Sequence, residues 1–520
     1  MTDVKSKNNT SKFWLDIAAD EIVRRYPEGE IIVSSGISPS ASYHIGHFRE
    51  IMTAEALAWA VGKRGRKARH LHVVDNFDPL RKWYDFLPPA KKDYTGQPVA
   101  LVEDPYGDCH PSYADHFFAE FEQYLKPMGL APEIIRSYED LYLPNHMTPY
   151  IEAVLENLQK SDFIRKIFSE LSNRELPANW TPVQLLDPTT NVFINGHLDT
   201  WDRKAQALDG ISYVNGHAKL NWRLDWPARW AYLKVQVEPF GAQEHGAAGG
   251  SYDTGREFAR QVFKIEPPYG EVRYGHIHRP HESFKMSSSK GNGVTPGEAL
   301  QIMPPEILRY FIVRSRPEKK LVFDPGIGLY NLIDEFAAAQ NDSGHQFRDA
   351  YNFAAAGDTK PVISSVSFKH LVQVYQAAQG DSDECLRILE RTGYATQVKK
   401  EQAVILAELP FVKNWLAKYA PEEVKFTVQP ALPQAEPLTD EQRGFLTILA
   451  AAIEEHSGEI DGQAMHELIY AAKDQANLPA PAAFQAIYRV ILGKDFGPKA
   501  GWFLASLDRD FLIKRLHIKG

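Results

Sequence analysis

The stretch EIIVSSGISPSASYHIGHFREIMTAEALAWAVGKRGRKARHLHVVDNFD, Glu30 to Asp78, decides the fold. It opens on a short apolar run, Glu30–Ser35, bounded by a glycine and typical of a buried strand. Phe48–Lys63 is longer, apolar and free of glycine until its end, and predicts a helix. Ala68–Asp78 returns to a strand pattern. Strand, helix and strand in so short a span predict a βαβ unit and a parallel sheet.

Outward from that unit the texture changes twice. Residues 91–190 are irregular and rich in Pro, Tyr and Asp, with helices such as PSYADHFFAEFEQYLKPMG, and read as an insertion at the sheet edge. LKVQVEPFG, Leu233–Gly241, alternates as a strand does. Its loop, GAQEHGAAGGSYDTG, leads into the helical REFARQVFKI, so sheet and ligand loop resume after the insertion. From about residue 300 helical periodicity dominates. Thr439 with Gln442 three residues later forms a capping-box pattern, and Phe445, Leu449, Ala452 and Ile453 then share a face. AMHELIYAAKDQAN and AAFQAIYRVILG repeat it, and the proline-rich Thr427–Asp440 reads as a loop.

Composition limits the function classes. The chain has 520 residues, 44% apolar and 24% charged, as soluble multi-domain proteins do. No run approaches the ~18 apolar residues of a membrane helix, and the polar start lacks the apolar core of a signal peptide. A cytoplasmic protein without membrane partners is expected. Two distant cysteines, Cys109 and Cys385, exclude a disulfide framework and a multi-cysteine zinc site. The formal net charge of −9 argues weakly against nucleic acid, yet phosphate binding follows local basic patches. KRGRKARH (Lys63–His70) and RSRPEKK (Arg314–Lys320) are two, and each alone reads as solvated surface.

Two stretches carry chemistry. In SPSASYHIGHFRE, His44 and His47 flank Gly46 between strand and helix. A glycine turn at a helix start brings backbone N–H groups to an anion, and imidazoles there can donate to a phosphoryl group as charge builds. A polar first helical turn with no ligand explains the same letters equally well. In FKMSSSKGNGVTP, Phe284–Pro296, Lys285 and Lys290 bracket three serines and could neutralise a triphosphate or departing pyrophosphate. Alone it reads as a flexible polar linker.

Taken together, in this order and around this fold, they resemble the HIGH and KMSKS signatures of class I aminoacyl-tRNA synthetases. The first matches letter for letter; the second has Ser288 in place of a lysine, with Lys290 nearby. NFDPLRKWYDFLP, DYTGQPVALVEDPYG, LNWRLDWPARWA, GGSYDTG, KMSSSKGN and the tail LGKDFGPKAGWFLASL narrow the likeness to class I lysyl-tRNA synthetase, from about residue 13 to the C-terminus.

That resemblance implies an α/β Rossmann-like class I synthetase catalytic domain with an insertion, followed by an all-α anticodon-binding domain. Its parts would be 1–90 and 196–300 for the catalytic halves, 91–195 for the insertion, 301–350 for a linking helical region and 351–520 for the anticodon reader. It implies ATP and Mg²⁺, formation of lysyl-adenylate, and transfer of lysine to the 3′-terminal ribose of tRNA-Lys, by a monomer. His44, His47, Lys285 and Lys290 would be catalytic. Gly46, Met286, Ser287, Ser288 and Ser289 would accompany ATP. Gly36, Ser38, Trp222, Glu244, His245, Asp253 and Tyr274 would form the lysine pocket, with Asp253 or Glu244 as ammonium acceptor. Trp222 and Tyr274 could equally be core, and Asp253 a helix cap.

The sequence also departs from the family. Ala41 stands where a glycine is usual, a strained position if φ is positive there. GAQEH is one residue longer than the family's loop and carries Glu244 for its aspartate. YGHIHRPHESF has an unusual set of histidines. The cysteine pairs that look zinc-binding in many members are missing, so no metal site and no zinc are expected, and LLDPTTNVFINGHLD must hold by packing. These departures keep a second reading in view, a paralogue that binds lysine or RNA without charging tRNA.

Overall fold

The structure, a computed structural model, describes residues 13–107, 109–160, 163–172, 180–243, 245–280, 293–355, 361–432 and 438–517. Two compact units result, 1–299 with 309–323, and 300–308 with 324–520. The stretch 301–350 is thus divided between them.

In the first unit an N-terminal helix, α1 (Trp14–Arg25), precedes β1 (Ile31–Ile37), α2 (Ile45–Gly62) and β2 (Ala68–Val74). β1 and β2 pair in parallel from Ile31 opposite Ala68 to Ile37 opposite Val74. α2 begins three residues before the apolar run that predicts it, because His44 supplies its cap. Phe48, Ile51, Met52, Ala56, Leu57 and Ala60 of α2 are buried. Arg49 is 1% exposed, and its Nη2 donates to the carbonyls of Pro317 and Lys319 at 2.5 and 2.8 Å. That bond ties α2 to the segment holding the second basic patch.

α3 (Tyr113–Glu122) leads to β3 (Glu133–Arg136), parallel to β2. A small antiparallel sheet follows in which β4 (Val183–Leu186) lies between β5 (Phe193–Asn195), both within 91–195, and β6 (Ala218–Leu220), beyond it. Leu185, Leu220, Leu141, Val154 and Ile164 share its core.

α4 (Trp222–Leu233) comes directly after β6. The expected strand Leu233–Gly241 therefore cannot start where the alternation does: Leu233 ends the helix and Lys234 takes a left-handed conformation, φ 55°. The chain beyond Lys234 still joins the sheet. Val237 bridges Val33 on one side and Tyr269 on the other, both in parallel. β7 (Phe240–Gly241) then pairs with β8 (Arg273–Tyr274) across α5 (Ser251–Gln261). Spatially the order runs β3, β2, β1, then the segments at 237 and 269, a doubly wound arrangement with a switch point beside β1.

The second unit includes α6 (Gly328–Asn341), α7 (Phe368–Ala377), α8 (Ser382–Leu389), α9 (Ala395–Lys418), α10 (Asp440–Glu455), α11 (Gly462–Gln475), α12 (Ala480–Leu492), α13 (Ala500–Ala505) and α14 (Arg509–Leu516). The Thr439 hydroxyl accepts from the Gln442 N–H at 3.2 Å, and the Gln442 side chain accepts from the Thr439 N–H at 3.1 Å. Phe445, Leu449 and Ile453 then enter a core with Met465, Ile487 and Leu504. Among the described residues no helix is long and apolar enough to cross a membrane.

Candidate active site

His44 and His47 build the start of α2 themselves. His44 Nδ1 accepts the Gly46 N–H at 3.0 Å, and His47 Nδ1 accepts the His44 N–H at 3.1 Å, a capping box made of imidazoles. Each Nδ1 is an acceptor, so the proton of each neutral ring sits on Nε2. The ring centroids are 4.1 Å apart. A Cβ on Gly46 would fall 2.6 Å from the His44 ring, and one on Gly293 2.6 Å from His44 Cβ. Both glycines are needed for that imidazole to fold over the turn.

A cavity of 640 Å³ opens beside this turn at the carboxyl ends of β1 and β2. It collects Gly36, Ser38, His47, Trp222, His245 and Tyr274 from distant parts of the sequence. Trp222 stacks on Trp226 at 5.4 Å, and His245 packs against both indoles. Glu50, also lining the cavity, accepts the Gly36 N–H at 2.7 Å and the Tyr274 hydroxyl at 2.6 Å. Glu50 lies on α2, where its helical spacing hides it among polar positions, so sequence reading passed it over.

Several other expectations change. Asp253 does not line the cavity; it lies in the first turn of α5, whose cap position is Gly250 with no side-chain cap bond, and its carboxylate accepts the Gly249 N–H at 2.9 Å. Ala41 is buried and has no positive φ, so the alanine carries no backbone strain. Glu244, and the loop with Lys285, Met286, Ser287, Ser288, Ser289 and Lys290, lie outside the described residues.

The cavity floor is ionic. Ser38 donates to Asp78 at 2.7 Å, Lys219 of β6 reaches Asp78 and Asp75, and Arg229 of α4 lies 2.9 Å from Asp75. Lys219 is 2% exposed. Burial alone would raise the Asp75 carboxyl, but Arg229 and Lys219 overcome it and hold it below the usual carboxylate range. Glu238 accepts from the indoles of Trp226 and Trp230. Burial outweighs those bonds and lifts its pKa to about 7. The run VVDNFD showed carboxylates; that Lys219, far along the chain, neutralises them was not legible.

Relatives match nearly the whole chain in sequence. A family model described as tRNA synthetases class I (K) matches residues 12–355. The chain is 38% identical to a lysine–tRNA ligase of Methanosarcina barkeri, with 96% of each chain covered. It is 35% identical to one from Archaeoglobus fulgidus, over 97% of this chain and 99% of that one. A Thermococcus kodakarensis lysine–tRNA ligase is 33% identical, over 98% and 99%. The chain belongs to the class I (K) tRNA synthetases.

This synthetase carries one more set of converging side chains, in its insertion. Ligand atoms of Asp104, Cys109, His110 and His116 all lie within 4.8 Å of one another. Cys109 Sγ is 2.8 Å from Asp104 Oδ2 and 3.3 Å from His116 Nδ1, and His116 Nδ1 is 3.1 Å from Asp104 Oδ1. The expectation of no metal site rested on a search for cysteine pairs. A single cysteine with two histidines and an aspartate escapes that search, although the four lie within one short stretch, Asp104–His116.

Proposed function

We propose that the protein is a lysine–tRNA ligase. It activates L-lysine with ATP to lysyl-adenylate and pyrophosphate, and passes the lysyl group to the 3′-terminal ribose of tRNA-Lys. The observation that carries the substrate is that the Glu50–Tyr274 pair and Trp222 line one cavity. A lysine stem needs an apolar or aromatic surface and its ammonium needs an anionic acceptor, and the cavity has both beside the histidine turn. Glu50 takes the acceptor role that the sequence suggested for Asp253 or Glu244. Ser38 and Gly36 border the amino-acid end, and His245 backs the aromatic wall.

His44 and His47 donate through Nε2 to the ATP phosphates, and Gly46 keeps His44 folded over the turn. Lys285 and Lys290, with Met286 and Ser287 to Ser289, complete the triphosphate site. Catalysis then rests on positioning and electrostatics, without a covalent enzyme intermediate. A divalent cation such as Mg²⁺ neutralises triphosphate charge. Asp75, Asp78 and Asp225 share the two cations Lys219 and Arg229, and that ion would arrive with the nucleotide.

The Asp104, Cys109, His110 and His116 donors suit zinc in type and number. Zinc, with Zn–S about 2.3 Å and Zn–N about 2.0 Å, would need Cys109 Sγ and Asp104 to move apart from their present 2.8 Å contact. Zinc there would hold the insertion's fold. The test of the activity is lysine-dependent ATP–pyrophosphate exchange together with charging of tRNA-Lys. Exchange with no amino acid refutes the ligase reading, and exchange with another amino acid refutes lysine.

A further inference from the structure

Trp222, Trp226 and Trp230 stand one helical turn apart on α4, so their indoles share one face of the helix. Trp222 lies nearly parallel to Trp226, with 14° between the planes, and Trp226 meets Trp230 at 4.8 Å. All three line the cavity. Trp226 and Trp230 are buried, and a buried indole N–H needs an acceptor. Both find the same one. Trp226 Nε1 donates to Glu238 Oε1 at 2.9 Å, and Trp230 Nε1 donates to Glu238 Oε2. Glu238 is itself held by the sheet. The Val237 carbonyl accepts the Ser34 N–H at 2.8 Å, and the Glu238 N–H donates to the Tyr269 carbonyl at 3.1 Å. One side chain therefore fastens the indole column to the segment beside β1, and Trp222 rests on that column.

The bonds of Glu238 and its burial ask for different protonation states. Two N–H donors, one on each oxygen, suit a carboxylate. A carboxylic acid must turn one oxygen into a donor and lose an indole. Yet Glu238 is 7% exposed, and burial favours the neutral acid. The outcome is a carboxyl poised at about 7. Arg229 of α4 is the charged group that acts on it, towards the ionised form, and Tyr269 is the titratable residue at its backbone. Arg229 is already shared by Asp75 and Asp225. The cavity also holds Glu50, Asp75, Asp78, Lys219, His47 and His245. An ammonium group entering this space adds the positive charge that would complete the ionised form.

We propose that Glu238 is a positioning residue for lysine: it holds the indole column on which Trp222 rests, and it releases its proton to solvent as the substrate's ammonium group enters the cavity. Lysine binding and Glu238 ionisation then favour each other by the same factor. A substrate that lowers the Glu238 pKa by about one unit binds the ionised enzyme about tenfold more tightly than the protonated one, and expels about 0.4 proton per lysine near pH 7. This rests on the ligase reading and couples a proton to its amino-acid binding step.

The experiment titrates the full chain with L-lysine by calorimetry near pH 7, in two buffers of different ionisation enthalpy, which counts the protons released. Wild type should release about 0.4, and Glu238→Gln almost none. Glutamine, like the protonated acid, serves one indole only. In ATP–pyrophosphate exchange the lysine KM of Glu238→Gln should therefore match wild type at about pH 6 and exceed it about tenfold at about pH 8, with the KM for ATP unchanged at both. A purely structural Glu238 would shift the lysine KM equally at the two pH values. Glu238→Asp keeps the charge but is too short to span both indoles, and should raise the lysine KM at both. Wild-type protein that releases no proton, release undiminished in Glu238→Gln, or an aspartate variant with the wild-type KM would overturn the proposal, and the first of these needs no variant to fold. Absence of lysine-dependent exchange in the wild type would instead refute the ligase reading.

Discussion

Glu50→Gln isolates the charge that selects the substrate. Glu50 accepts from the Gly36 N–H and the Tyr274 hydroxyl, one bond on each oxygen. Glutamine keeps the shape. Its carbonyl oxygen still takes the Gly36 N–H, and its amide can donate to Tyr274, whose hydroxyl rotates to accept. Only the anion is lost. Two unit charges about 3 Å apart attract by about 5 kcal/mol at an effective dielectric of 20. Desolvation at this half-buried position takes back part of that, leaving about 2–4 kcal/mol. The KM for lysine in ATP–pyrophosphate exchange should therefore rise about 30- to 1,000-fold, with the KM for ATP within a factor of a few. Selectivity for lysine over norleucine, its uncharged analogue, should fall with it. Melting should be nearly unchanged, because both structural bonds survive. A lysine KM within twofold of wild type would refute Glu50 as the ammonium acceptor and with it the argument for this substrate from the cavity.

Lys219→Met removes the cation between Asp75 and Asp78 and leaves two carboxylates facing Arg229 alone; a loss of about 3–5 kcal/mol is expected, read as the shift of the denaturant midpoint, and Lys219→Arg should recover part of it. Glu408 and Glu238 are both lifted by burial to about 7. With the folded value above the unfolded one, each adds stability that is complete below the ordinary glutamate range and lost as pH rises through 7. Glu408→Gln, which keeps an acceptor for the Ser364 N–H and hydroxyl, should flatten by a few kcal/mol the fall in stability between about pH 5 and pH 8; an unaltered slope by chemical denaturation at the two pH values would exclude Glu408 as a source. Cys109→Ala should abolish one equivalent of bound zinc, measured by elemental analysis of protein purified without chelator, and expose the Asp104–His116 segment to protease; a wild-type protein free of zinc would refute the metal reading.

How far each feature reaches along the chain determined whether it could be read from the sequence. The βαβ unit was legible because apolar periodicity is local and α2 is long. The cap of that helix was not, since capping patterns are sought among Ser, Thr, Asp and Asn, and here the reciprocal acceptors are two imidazole Nδ1 atoms. The strand after α4 was overextended because alternation from Leu233 on says nothing about a helix that ends there in a left-handed Lys234. Gly36, Ser38, Trp222, His245 and Tyr274 were found through resemblance and are gathered in one cavity; Glu50, Lys219 and Glu238 were missed, although they set its electrostatics. Their partners are far away in sequence: Tyr274 for Glu50, Asp75 and Asp78 for Lys219. A carboxylate on a helix and a lysine on a strand look like solvated surface until the fold turns them inward. Long-range pairing therefore decides function in this chain, while local periodicity decides only where the elements are.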